Sequence, residues 1–263
     1  MLDAAGNQTV LRSSWRLARL ALRQLADFFV PPLCLSCKQP LAQHNTVCAE
    51  CWRDIHFIVP PLCDRLGIPL PFDPGGGPIV SAAAAANPPP YDHARAVAHY
   101  TGTMRDLIHM FKYADQHAPR HLFARLLERA GRELFHDCEL VVPVPLSRQK
   151  LRARRFNQAA LLAHDLARST RLSYEPQLLQ RRKNTVSQVG LTRDQRRRNM
   201  QGAFALSKSG TVKVKDRAVL LIDDVITTGT TVEACARALK QAGARHVDVL
   251  ALALVTNESQ IVL

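Results

Sequence analysis

The sequence predicts an α/β protein: a mostly parallel sheet flanked by helices, with a small cysteine-bearing module on its N-terminal side. Three features carry this expectation. From Tyr91 onward, short apolar runs alternate with stretches of helical period, the pattern of strands buried on both faces by crossover helices. One such run, 218–222, ends abruptly in two adjacent acids. Upstream, two Cys-x-x-Cys pairs fall between Cys34 and Cys51.

In chain order, residues 1–30 read as an amphipathic N-terminal helix. Leu11, Trp15, Ala18, Leu22, Leu25 and Phe29 recur at helical spacing, Arg12, Arg16, Arg19 and Arg23 follow one position behind, and Pro31-Pro32 ends the run. Residues 31–68 form the cysteine module. The stretch 69–92, with Asp73-Pro-Gly-Gly-Gly-Pro78 and Pro88-Pro-Pro90, reads as a linker. Residues 93–263 form the main domain. Strands are expected over 94–100, 139–144, 177–180, 203–206, 218–222 and 247–255, and helices over 104–113, 118–135, 156–169 and 230–241. Gly243 closes the last helix.

The chain has 263 residues, 47% of them hydrophobic and few aromatic, enough for one ordinary domain and a small appendage. Its formal charge of +13 points to anionic partners. Much of the excess lies between Arg148 and Arg198. Seven cysteines, an odd number, argue against a disulfide scaffold and for metal in a reducing compartment. No apolar run reaches the roughly 18 residues of a membrane span, and the arginines at the N-terminus interrupt any signal-peptide core. The expected location is the cytoplasm.

The segment Val219-Leu-Leu-Ile-Asp-Asp-Val-Ile-Thr-Thr-Gly-Thr-Thr231 is the most informative. A buried strand delivers Asp223 and Asp224 to its carboxyl end, where open α/β sheets bind ligands. The loop Thr227, Thr228, Gly229, Thr230, Thr231 then opens a helix. Gly229 permits a tight turn with exposed N–H groups, the threonines add donors, and the helix N-terminus adds partial positive charge. This assembly suits one phosphate monoester, while the carboxylates suit a vicinal diol or hydrated Mg²⁺. A sugar phosphate has that layout. The loop matches neither the Walker A pattern nor the dinucleotide fingerprint.

This segment closely resembles the phosphoribosyl-pyrophosphate loop of type I phosphoribosyltransferases. The resemblance extends in order to the ComF/GntX-type phosphoribosyltransferases through Pro31-Pro-Leu-Cys34, the Cys-x-x-Cys pairs, Leu107-Ile-His-Met-Phe-Lys-Tyr113, Val142-Pro-Val-Pro-Leu146, Arg154-Arg-Phe-Asn-Gln-Ala159, and a stretch containing Thr185, Gln188, Leu191, Arg193, Arg196, Asn199 and Phe204. It implies a type I phosphoribosyltransferase-like sheet, contacts from Asp223 and Asp224 to ribose hydroxyls, and a 5-phosphate on Thr227 to Thr231. It also implies phosphoribosyl pyrophosphate as ligand with Mg²⁺, a pyrophosphate loop after the strand 139–144, and a flexible loop over 181–198. Arg152, Arg154, Arg182, Lys183, Arg193 and Arg196 are the candidate cations for the leaving pyrophosphate, with Lys112 a weaker one. Two positions depart from the family: Arg155 stands where glycine is usual, and a further Cys-x-x-Cys-Gly survives only as Cys63-Asp-Arg-Leu-Gly67.

Cys34, Cys37, Cys48 and Cys51 have the spacing of a tetrahedral zinc site closed by protein, hence structural; an iron–sulfur cluster or a redox pair is the alternative. Cys63, Cys138 and Cys235 read as lone buried thiols. The expected function is phosphoribosyl transfer in support of DNA uptake or nucleotide salvage. Its rival is a non-catalytic module that senses phosphoribosyl pyrophosphate or binds single-stranded DNA. A homodimer is a further open expectation, and the acceptor is not legible.

Overall fold

A computed structural model describes residues 31–73, 75, 77–113, 118–182 and 202–256. The expected N-terminal helix, Lys183, Arg193 and Arg196 lie outside the described residues.

The main sheet holds five parallel strands: β1 (His93–His99), β2 (Leu140–Pro143), β3 (Ser173–Tyr174), β6 (Ala218–Ile226) and β7 (His246–Leu254), in the order β1-β7-β6-β2-β3. Strand alternation splits the core in two. Val219 and Leu221 of β6 join Val247, Val249 and Ala251 on one face, whereas Leu220 and Ile222 join Val141, Leu250 and Leu252 on the other. On the second face lie Leu107, Ile108 and Phe111 of α3 (Gly102–Lys112), Phe123 and Leu127 of α4 (Arg120–Ala130), and Leu162 and Leu166 of α6 (Gln158–Thr170). The first face is covered by Val232, Cys235, Ala236 and Leu239 of α8 (Thr230–Gln241).

From β2 the chain passes through α6 to β3 on one side; from β6 it passes through α8 to β7 on the other. The strand order therefore reverses between β2 and β6, and the crevice at their carboxyl ends is the ligand position of such sheets. A short antiparallel pair, β4 (Leu179–Arg181) with β5 (Phe204–Leu206), stands apart from the main sheet.

Several elements differ from their expected bounds. β6 continues to Ile226 instead of stopping at 222, because Asp223, Val225 and Ile226 stay paired with Ala251, Ala253 and Leu254 of β7. The expected helix 118–135 divides into α4 and a 3-10 turn, Arg132–Phe135. The basic segment after β2 forms a helix, α5 (Arg148–Arg154), capped by Ser147 Oγ, which accepts from Lys150 N. Helix α7 (Lys208–Val214) is likewise capped by Ser207.

The cysteine module folds back on the edge of the sheet. Ile58 N donates to Val97 O, and His99 N donates to His56 O, adding a short antiparallel segment to β1. Cys34, Leu35, Val47, Cys48 and Ile55, around the short helix α1 (Ala49–Arg53), join the same core as α3 and α4. Asp54 Oδ2 accepts from Thr103 N at 2.7 Å and Thr103 Oγ1 at 2.8 Å, so the module caps helix α3 of the main domain. The stretch 69–92 carries the helical turn α2 (Ala82–Ala86) and contributes Leu70, Ala84 and Tyr91 to the opposite core face.

Candidate active site

Four separate segments meet at the β2–β6 crevice. The first is the end of β6. Alternation turns Asp223 and Asp224 to opposite faces of the strand. Asp224 Oδ2 lies 3.2 Å from Lys112 Nζ at the end of α3, both side chains about 15% exposed. The ammonium of Lys112 also sits 5.6 Å from the centre of the Tyr100 ring, just past β1. Asp223 Oδ1 accepts from the amide of Asp224 at 2.8 Å. Burial, and next the charge of Asp224, pushes the Asp223 carboxyl up to about 8. On the α8 side it acts on Cys235, whose thiol is raised by burial first and by Asp223 second.

The second segment is the loop into α8. Gly229 adopts φ 75° and ψ −13°, in the left-handed region, and caps the helix without a side-chain hydrogen bond. The first amides of this twelve-residue helix therefore keep their donors for another acceptor. Thr228 and Thr230 bring their hydroxyls to 2.9 Å of each other, Thr230 is buried, and Thr227 is exposed at the mouth. Thr231 is partly buried in the first turn.

The third segment is α5 and the turn after it. Arg154 Nη1 donates to Gln158 Oε1 at 3.3 Å, and Gln158 Nε2 donates to Lys112 O at 3.2 Å, tying α5 to α3. Asn157 Nδ2 donates to Val144 O at 3.0 Å and its Oδ1 accepts from Ala159 N, fixing the start of α6 against the end of β2. Arg155 occupies φ 65°, ψ −17°, a left-handed backbone state that glycine adopts at least cost.

The fourth segment is the β4–β5 pair, which brings Arg181 over the Phe204 ring at 5.5 Å. Burial lowers Lys150, with repulsion from Arg154, Arg181 and Lys112 and attraction to Asp224 following. These groups therefore share one electrostatic neighbourhood. Asp223 and Asp224 are followed by Thr227, Thr228, Gly229, Thr230 and Thr231, and Arg154 is linked to Asp224 through Gln158 and Lys112. Arg152 lies exposed on α5 and Arg182 exposed just past β4. Lys150 and Arg181, absent from the expected cation set, join the cluster. The signal that could have found Arg181 is its place at the start of the resembling flexible loop.

The cysteines form a second centre. Sulfurs of Cys34, Cys37, Cys48 and Cys51 lie within 4.8 Å of one another. Amides of Cys48 and Cys51 point at Cys34 Sγ and Cys48 Sγ, at 3.3 and 3.4 Å. A four-thiolate set with amide donors to sulfur fits a structural zinc that supplies folding energy to a fragment too small for its own core.

A second knuckle repeats the first almost bond for bond. The bridge Leu33–Pro40 recurs as Leu62–Pro69, and Cys34 N to Gln39 O recurs as Cys63 N to Ile68 O, both 2.8 Å. Lys38 at φ 65° recurs as Gly67 at φ 65°, and the amide of Ser81 reaches Cys63 Sγ at 3.3 Å as that of Cys48 reaches Cys34. The four ligand positions here hold Cys63, Leu66, Ser81 and Ala84. Leu66 and Ala84 pack against the core instead, and Ser81 Oγ donates to the Cys63 sulfur at 3.2 Å. One thiol and one hydroxyl do not make a zinc site.

Comparison with known proteins agrees with this architecture. Residues 25–83 match the double zinc ribbon domain and residues 159–260 the phosphoribosyl transferase domain. The protein is thus a type I phosphoribosyltransferase fold behind a double ribbon, of which the first knuckle keeps its four cysteines. It is 31% identical to the "DNA utilization protein YhgH" of Salmonella typhi over 229 residues, 85% of this chain and 97% of that one. It is 31% identical to "Competence protein F" of Haemophilus influenzae over 230 residues, 84% of this chain and 96% of that one. The chain belongs to this ComF/YhgH-type family. Among solved structures, a Bacillus subtilis glutamine phosphoribosylpyrophosphate amidotransferase aligns over 56% of this chain and 27% of that chain, at 19% identity and a TM-score of 0.35. Among the described residues, no helix is long and apolar enough to cross a membrane.

Proposed function

We propose that the β2–β6 crevice binds phosphoribosyl pyrophosphate with Mg²⁺ and transfers the phosphoribosyl group to a nitrogen acceptor. The observation that carries the reading is the meeting of one carboxylate pair, one uncapped helix N-terminus and one cation cluster at a single crevice. The amides from Thr228 to Thr231 take the 5-phosphate, Asp223 and Asp224 take the ribose hydroxyls, and Lys112, Lys150, Arg154 and Arg181 face the pyrophosphate.

In the transfer, the bond from the anomeric carbon to the pyrophosphate oxygen breaks. The electron pair leaves with pyrophosphate, and the acceptor's lone pair forms the new bond. Negative charge grows on the departing oxygens. Fixed cations stabilise that charge, and by analogy with an oxyanion-hole donor the removal of one would cost roughly 3–4 kcal/mol. When bound, Mg²⁺ would supply further charge neutralisation on the pyrophosphate, with Asp223 and Asp224 as its protein anchors. The acceptor amine is its own nucleophile, so the reading needs no dedicated general base.

A second reading has a specific observation behind it. A groove of about 770 Å³ between the ribbon and α4 is lined by Trp52, Phe57, Arg129 and Arg132, and the rings of Trp52 and Phe57 lie 5.1 Å apart. Aromatic faces beside arginines suit single-stranded nucleic acid, and relatives carry the names competence protein and DNA utilization protein. Pyrophosphate release during a screen of nucleobases and amines separates the two: release that depends on Asp223 and Asp224 supports transfer. Binding of phosphoribosyl pyrophosphate without release under any acceptor supports sensing, with single-stranded DNA tested on Trp52→Ala.

A further inference from the structure

At the opposite end of the sheet from the crevice, the first residues of β1 and β7 assemble a compact group of nitrogen and oxygen ligands. His93 and Asp248 are register partners on adjacent strands, and His246 lies two residues before Asp248. One ligand atom from each lies within 4.8 Å of the others. His93 Nδ1 is 3.0 Å and His246 Nε2 is 2.8 Å from the same oxygen, Asp248 Oδ1. Asp248 is buried, with its side chain 8% exposed, while the two imidazoles are about one-third exposed.

The outer ring nitrogens also face carboxylates. His93 Nε2 is 3.2 Å from Asp64 Oδ2, and His246 Nδ1 is 3.5 Å from Asp92 Oδ2. These two acids are themselves held, Asp64 by Arg95 at 2.9 Å and Asp92 by Lys240 at 2.6 Å. A neutral imidazole has one N–H. Asp248 Oδ1 also accepts from the His93 backbone N–H at 3.1 Å. With its N–H turned to the outer carboxylate, each imidazole directs its inner lone pair at the point where the Asp248 oxygen converges, and a cation placed there would take all three ligand atoms. Ligating histidines are ordinarily oriented by such outer carboxylates.

We propose that His93, His246 and Asp248 bind a divalent d-block cation, zinc by the chemistry of the set, with Asp64 and Asp92 orienting the two histidines. Two imidazoles and one carboxylate give three of four tetrahedral positions, the fourth being left to water beside the one-third-exposed rings. Softer thiolate-preferring ions would stay with the cysteine centre, and Mg²⁺, which prefers all-oxygen octahedra, would be a poor occupant. Such a site would fasten the edge strand β1, together with Asp64 of the second knuckle, to β7.

The test uses the full chain. Metal content after equilibration with micromolar zinc and removal of free ion should be two per chain, falling to one in His93→Ala and in His246→Ala. Titration with Co²⁺ provides an independent readout. The first equivalent gives the thiolate-to-cobalt charge-transfer band of the cysteine centre, and the second adds ligand-field bands without increasing it. In His246→Ala the thiolate band should persist, which shows that the variant is folded, and the second step should vanish. One zinc per chain in the wild type would overturn the proposal, as would a second equivalent that survives in the His93→Ala/His246→Ala variant.

Discussion

Lys112 Nζ lies 3.2 Å from Asp224 Oδ2 although the two residues come from different ends of the domain, one closing α3 and the other inside β6. The contact joins the cation cluster to the carboxylate pair, and it makes Lys112 more than the end of a helix. A charged hydrogen bond of this kind is worth about 1.5–3 kcal/mol when one partner is removed. In the proposed complex Lys112 also faces the pyrophosphate, and loss of one charged contact of that size in Lys112→Met should weaken phosphoribosyl pyrophosphate binding by roughly ten- to a hundred-fold. A dissociation constant within twofold of wild type would mean that Lys112 only packs against Tyr100.

Protonation of Asp223 makes stability depend on pH. The unfolded carboxyl titrates near 3.8, whereas burial and then the Asp224 charge raise the folded one to about 8. Between those values the folded state holds a proton that the unfolded chain releases, so stability falls as pH rises through that window. Asp223→Asn should flatten this decline and be more stable than wild type at alkaline pH, while losing ligand affinity. Chemical denaturation at a series of pH values measures it; parallel profiles for the two proteins would assign the shift elsewhere.

Arg155 holds a left-handed backbone at φ 65°. That state costs a non-glycine residue about 1–2 kcal/mol, partly offset by the greater freedom of unfolded glycine. Arg155→Gly should gain about 0.5–1 kcal/mol in denaturant unfolding. A loss of stability would show that the contacts of the Arg155 side chain outweigh its backbone strain.

The two knuckles should respond differently to thiol substitution. Cys34→Ser removes a ligand of the zinc centre, and because Leu35, Val47 and Ile55 share a core with α3, the damage should reach the main domain as a lowered Tm. Cys63→Ser should leave metal content unchanged, since Leu66 and Ala84 fill two of its ligand positions with hydrocarbon. A metal lost in Cys63→Ser would contradict the degenerate second knuckle.

Local chemistry was legible in the sequence, and distant convergence was not. The strand that ends at Asp223 and Asp224, the turn at Gly229 and the four thiolates each lie within one short segment, so spacing alone reveals them. Their extent was less clear: β6 runs on to Ile226 because β7 supplies hydrogen-bond partners that no local pattern encodes. Lys150 and Arg181 reach Asp224's neighbourhood only through the packing of α5 and β4, and His93 meets His246 only through the parallel pairing of β1 with β7. The second knuckle was hidden for another reason. Its backbone bonds survive, but Leu66, Ser81 and Ala84 carry no ligand signature. The proline-rich stretch 69–92 reads as a linker by composition, yet Leu70, Ala84 and Tyr91 find apolar neighbours that only the folded chain provides.

Isothermal titration of the zinc-loaded protein with phosphoribosyl pyrophosphate, with and without Mg²⁺, bears most directly on the crevice. Saturable binding of one ligand per chain, strengthened by Mg²⁺ and abolished in Asp223→Asn/Asp224→Asn without loss of folding, is the expected result. No heat of binding in the wild type, or equal affinity in the double variant, would contradict the assignment of the carboxylate pair and the Gly229 loop to a sugar phosphate.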